Sequence, residues 1–116
     1  MATKDISIIV ALNNEEKNVS IVYSRIKTAL ESINSIYELV FVDDGSEDKT
    51  YFKLLEIHRK DSRVNIIRLK KNIGQTLGLI VGLRYATGEV VITMDGDLQH
   101  DPEDIPRFLE KISSGY

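Results

Sequence analysis

At 116 residues, with a net charge of −3 and no cysteine, the chain has the size of one small domain, without disulfides or thiolate metal sites. Its 42% hydrophobic and 28% charged residues fit a globular fold and exclude a disordered chain. The acidic balance argues against a nucleic-acid partner, and no run reaches the ~18 apolar residues of a membrane span or the apolar core of a signal peptide, so a cytoplasmic chain is expected.

Four apolar, β-branched runs alternate with helix-like segments. Ile6 to Leu12 reads as the first strand, and Glu15 to about Ile33 as the first helix. Its stripe is Val19, Val22, Ile26, Leu30 and Ile33, at the three- and four-residue spacing of one helix face. Asn13 or Asn14 can cap it, and Glu15 and Glu16 suit a helix's first turn. Glu38 to Val42 is the second strand, followed by a helix from about Lys49 to Arg59 with Leu54, Leu55 and Ile57 available for burial. Val64 to Leu69 is the third strand. Asn72-Ile73-Gly74 makes a turn, and Gln75 to Ala86 reads as the third helix, closed by Gly88 as C-cap. Gly78 and Gly82 in that helix each cost about 1 kcal/mol against Ala, which implies close packing. Glu89 to Met94 reads as an interior strand, the fourth. Asp101 and Pro102 then open a fourth helix as cap and first helical residue.

This alternation predicts an α/β fold: a mostly parallel sheet of about four strands with helices on both faces. In such sheets ligands bind beyond the carboxyl ends of the strands, where the strand order switches. Polar clusters follow the first, second and fourth strands, so they should converge on one sheet edge.

Asn13-Asn14-Glu15 is the first cluster, explicable as a helix cap or as the rim of a nucleoside pocket. Asp43-Asp44-Gly45-Ser46 is the second. A tight turn explains Gly45 and Ser46 but not two adjacent carboxylates, and Asp44 could accept a hydrogen bond from a base or ribose. Asn72-Ile73-Gly74-Gln75 is a turn, and no phosphate loop accompanies it. The fourth cluster is Asp95-Gly96-Asp97-Leu98-Gln99. On an extended chain Asp95 and Asp97 project to one side, where two charges ~4 Å apart repel by about 4 kcal/mol at an effective dielectric of about 20. A divalent cation offsets that repulsion. Hard oxygen ligands suit Mg2+ or Mn2+, and such a cation suits a diphosphate. His58 and His100 read as surface residues. Arg68, Lys70 and Lys71 read as a solvated strand end.

The series Ile9-Val10-Ala11-Leu12-Asn13-Asn14-Glu15, Val42-Asp43-Asp44-Gly45-Ser46-Glu47-Asp48-Lys49-Thr50, Asn72-Ile73-Gly74-Gln75 and Met94-Asp95-Gly96-Asp97-Leu98-Gln99-His100-Asp101-Pro102-Glu103 resembles the nucleotide-binding half of inverting family-two glycosyltransferases. These have the GT-A fold, whose nucleotide-binding half is Rossmann-like. Within the family, the resemblance is strongest to polyprenyl-phosphate glycosyltransferases of the dolichol-phosphate mannose synthase and bactoprenol glucosyltransferase type. It implies a nucleotide-diphosphate sugar, UDP- or GDP-linked, as donor and a lipid phosphate as acceptor. Ala11, Asn13, Glu15, Asp44 and Asn72 would line the nucleotide. Asp95 would sit near ribose and diphosphate, and would join Asp97 and Gln99 around Mg2+ or Mn2+. The family often has Pro-x-Tyr where this chain has Ala11-Leu12-Asn13, and Ala where it has Gly96.

The family's acceptor-binding half follows the acidic strand, so the expectation is a donor-binding part without the catalytic residues found later. The longer protein would lie at the cytoplasmic face of a membrane. A sheet edge exposed by truncation would favour self-association. Two other readings fit parts of the pattern: an Asp-dependent phosphotransfer or phosphatase-type α/β domain, and a non-catalytic nucleotide-binding module.

Overall fold

The computed structural model describes residues 5–31 and 36–95; the expected fourth helix, together with Asp97, Gln99 and His100, lies outside them. The elements are β1 (Ile6–Leu12), α1 (Val19–Glu31), β2 (Tyr37–Asp44), α2 (Thr50–Lys60), β3 (Val64–Leu69), α3 (Gln75–Tyr85) and β4 (Val90–Asp95). The four strands form one parallel sheet in the order β3-β2-β1-β4. This is the expected α/β architecture.

Burial follows strand position. Every residue of β1 and β2 is buried, as central strands of a parallel sheet covered on both faces require. β3 and β4 form the two edges among the described residues, so β4 is not interior here, and its Val91 is exposed.

One face carries the larger core. Ile6, Ile8, Val10, Leu12, Leu39 and Phe41 meet Val19, Val22, Ile26 and Leu30 of α1 and Leu54 of α2. Burying each such side chain contributes about 1.5–3 kcal/mol. The opposite face, Ile9, Ala11, Val40 and Val42, is covered by α3. Gly82 permits this approach, because a Cβ there would collide with Ile9 Cγ2 and lie 3.1 Å from Val42 Cγ2. The outer side of α3 leaves Leu77, Ile80 and Tyr85 exposed.

Two local expectations change. Helix α1 starts at Val19 rather than Glu15, and 16–18 form a turn. Neither Asn13 nor Asn14 caps it, because both side chains are engaged elsewhere. Gly88 is not a C-cap, since α3 ends on Ala86 in an extended conformation. Gly88 is small because its backbone crosses β1: a Cβ would fall 2.6 Å from Ser7 N, and its own N–H donates to Ser7 Oγ at 2.8 Å.

Candidate functional site at the carboxyl edge of the sheet

The chain adds β2 and β3 on one side of β1, then crosses back to place β4 on the other. The carboxyl ends of β1 and β4 therefore flank a switch in strand order, the position where parallel sheets open a crevice. In the pairing register Ala11 stands between Val42 and Asp95, and Leu12 lies opposite Asp43. The ends of β1, β2 and β4 thus meet as expected, with the loop after β3 beside them.

Ala11 is buried beneath the first turn of α3, 3.5 Å from where a Cβ on Gly78 would stand, so it meets the crevice mainly through its backbone. Asn13 Nδ2 donates to the Asp44 carbonyl at 2.6 Å, tying the ends of β1 and β2 together. Glu15 Oε2 accepts from Asn18 Nδ2 at 2.7 Å. Asn72 Oδ1 accepts from Gly74 N at 2.9 Å. The Asp95 backbone ends β4 next to Ala11.

Asp44 is buried, and its carboxylate serves the loop after β3. Oδ1 accepts from Ile73 N at 2.8 Å and Oδ2 from Gly74 N at 3.1 Å. These amides sit at the start of α3, where the helix dipole favours a negative charge. Each oxygen keeps a second lone pair, so Asp44 is a fixed acceptor at the rim. Gly45 makes this turn possible. Its φ is +64°, and the backbone of Lys71 and Asn72 occupies the space a Cβ would need.

Asp43 faces the other way. It is fully buried; Oδ1 accepts from Ser46 N at 3.2 Å, and Oδ2 has no hydrogen-bond partner. Arg68, its register partner on β3, holds Nε 4.0 Å from Oδ2 and stacks its guanidinium 3.9 Å from the centre of the Tyr51 ring. With Arg68 half-exposed, that ion pair is worth under about 1 kcal/mol. Beside it Gly45, Ser46, Arg68, Leu69 and Lys70 line a cleft of about 270 Å³. Arg68, read from sequence as part of a solvated end, is held against Tyr51. No sequence spacing links those two residues, because only the packing of α2 against β3 brings them together.

No group of three or more metal-ligating side chains occurs among the described residues. Asp43 and Asp44 fit a cation poorly, since three of their four oxygens accept backbone N–H groups and the fourth lies nearest Arg68. Asp97 and Gln99, expected from sequence to hold a cation with Asp95, lie beyond the described residues.

The loops after β1 and β2 are stitched together, which sequence reading missed. Asn14 has φ of 52°, its N–H donates to Ser46 Oγ, and its Oδ1 accepts from Glu47 N and Asp48 N. Glu15 N donates to Thr50 Oγ1 and Glu16 N to Asp48 Oδ2. Burial pushes the Asp48 carboxyl up, but hydrogen bonds from the Thr50 hydroxyl and from the Thr50 and Glu16 amides outweigh it and hold the group below its ordinary value. An Asn before a helix was the available signal, but it reads more simply as a cap.

Comparison with known proteins fits this geometry. S. aureus TarS (residues 1–349) is 26% identical over 95% of this chain and 32% of its own, with a TM-score of 0.72. The mannosyltransferase PcManGT from Pyrobaculum calidifontis, solved with GDP-Man and Mn2+, is 23% identical over 90% of this chain and 30% of its own, with a TM-score of 0.75. Glucosyl-3-phosphoglycerate synthase from Mycobacterium tuberculosis, solved with Mn2+, UDP and glucosyl-3-phosphoglycerate, is 21% identical over 97% of this chain and 40% of its own, with a TM-score of 0.72. The chain thus spans well under half the length of each. The family model for glycosyl transferase family 2 matches residues 7–116, and the chain belongs to that family.

Proposed function

We propose that this chain is the donor-binding part of a metal-dependent, inverting glycosyltransferase that moves a sugar from a nucleotide-diphosphate sugar to a polyprenyl phosphate. The observation that carries the reading is the meeting of three polar strand ends at the switch in strand order, with Ala11 registered between Val42 and Asp95. UDP, GDP-Man and Mn2+ in the solved relatives support a nucleotide and a divalent cation here.

In this reading Asn13, Glu15 and Asp44 border the base and ribose, with Asn72 at the same rim. Asp95 lies near ribose and diphosphate. Asp95, Asp97 and Gln99 hold Mg2+ or Mn2+, which supplies Lewis-acid stabilisation to the departing nucleoside diphosphate. The acceptor oxygen of a lipid phosphate is already anionic, so little demand falls on a general base. A single in-line displacement inverts the sugar carbon. The polyprenyl phosphate rests on the resemblance of the acidic motif and its Leu98-Gln99 continuation, and it puts the longer protein at the cytoplasmic face of a membrane. Among the described residues no helix is long and apolar enough to cross one.

Calorimetric titration with UDP, GDP and their sugars, with and without Mn2+, tests the site. Binding should require Mn2+, disappear in Asp97→Ala and persist in His100→Ala. Equal binding by the two variants would overturn the metal assignment. Rapid sugar transfer by the 116-residue chain alone would overturn its restriction to donor binding.

A further inference from the structure

We infer that Asn14 is a positioning residue that locks the loops after β1 and β2 into one preformed rim for the nucleotide, an inference that rests on the proposed donor site. Asn14 sits in the left-handed region at φ 52°, which Asn tolerates better than most side chains. From there it serves the neighbouring loop with both backbone and side chain. Its N–H donates to Ser46 Oγ at 2.9 Å, and its Oδ1 accepts from Glu47 N at 2.8 Å and Asp48 N at 3.3 Å. The next residues continue the seam: Glu15 N donates to Thr50 Oγ1 at 2.9 Å and Glu16 N to Asp48 Oδ2 at 3.2 Å. Asp48 Oδ1 in turn accepts from Thr50 N at 2.9 Å.

The partners on this seam are crossed. From sequence Asn14 reads as a cap for α1, yet α1 begins only at Val19, the Asn14 side-chain oxygen takes amides from the loop entering α2, and the amides of Glu15 and Glu16 ahead of α1 are taken by Thr50 and Asp48. Neither loop can shift without breaking bonds to the other. Directly ahead of the seam on each loop stand Asn13 and Asp44, two of the residues proposed to meet the nucleotide, already joined by their 2.6 Å hydrogen bond. A rim held before the ligand arrives spares binding the entropy of ordering two loops. Asn14 itself need not touch the ligand.

Three variants separate this role from a purely structural staple. Asn14→Gly keeps the left-handed backbone and removes Oδ1, Asn14→Asp restores an acceptor oxygen, and Asn14→Ala removes the acceptor and strains the backbone. Amide hydrogen exchange at Glu47 and Asp48 should accelerate by about tenfold or more in Asn14→Gly, with protection in β1 and β2 retained as the control for folding. The Kd for UDP or GDP with Mn2+ should weaken by about tenfold in the same variant, and Asn14→Asp should recover most of both effects. Faster exchange with unchanged Kd would make Asn14 a staple only and overturn the positioning role. Unchanged exchange would overturn the lock. Failure of the wild-type chain to bind either nucleotide would overturn the donor site and the positioning role with it, while the exchange data would still report on the lock.

Discussion

The two ends of the sheet handle buried polar groups in opposite ways. At the amino end, Glu38 Oε2 accepts from Ser7 Oγ at 2.6 Å and from Thr87 N and Oγ1 at 2.7 Å each. Nearby, Tyr23 Oη donates to Asp61 at 2.6 Å, Arg63 grips the same carboxylate at 3.0 Å, and its guanidinium lies 4.4 Å from the centre of the Tyr37 ring. Apart from the Tyr37 hydroxyl, these groups are claimed by structure. At the carboxyl end one Asp43 oxygen has Arg68 at 4.0 Å but no hydrogen bond, the Asp44 oxygens each take one amide, and loops rather than strands supply most partners. A buried carboxylate that satisfies its neighbours in full holds strands in register; one that leaves capacity at a sheet edge can meet a ligand.

The sharpest test of this contrast is Glu38→Ala. It strands buried donors on Ser7 and Thr87, so stability measured by urea unfolding should fall by about 3–5 kcal/mol. A loss under about 1 kcal/mol would break the claim that this end is structural.

Gly45→Ala comes next. It forces a side chain into φ +64° and into the backbone of Asn72, at a cost of about 2–3 kcal/mol. Because the displaced turn carries the amides held by Asp44, nucleotide affinity should fall along with stability. Retained affinity would separate that turn from the site.

The smallest effect is pH dependence at the amino end. Burial pushes Asp61 up, but hydrogen bonds from Arg63 and Tyr23 prevail and bring it from 3.8 down to about 2. A depressed carboxyl stabilises the fold above its unfolded value, so about 2 kcal/mol should be lost as pH falls from about 4 towards 2. Burial, with the Asp61 bond, raises Tyr23 to about 12, so its share is present below pH 10 and is lost as pH rises through about 12. Asp61→Asn should flatten the acid limb of a denaturation-versus-pH curve, and an unchanged limb would show that other carboxylates control it.

Much of the fold was readable from residue pattern, and the reasons are local. Val19, Val22, Ile26 and Leu30 declare a helix face by spacing alone, and all four are buried. Apolar runs at residues 8–12 and around Val40 declare strands covered on both faces, and such strands fit the parallel α/β arrangement that forms. The candidate site was readable as polar clusters after strands, because a parallel sheet sends alternate loops to one edge. Where local rules misled, a distant partner had intervened. Asn14 obeys the capping preference by composition, yet its oxygen serves amides more than thirty residues away. Gly88 matches a C-cap in spacing, but its size answers to Ser7 across the sheet.

The sequence by itself therefore determined most of the elements, their parallel class and the sheet edge where polar clusters gather, since periodicity, β-branching and carboxylate placement act within a few residues. Only the tertiary structure decided which of two adjacent aspartates holds the loop after β3 and which lies against Arg68. It alone set Arg68 on Tyr51 and crossed the seam through Asn14. Those outcomes depend on strand order and register, which bring together groups thirty residues apart, and no local preference encodes that distance.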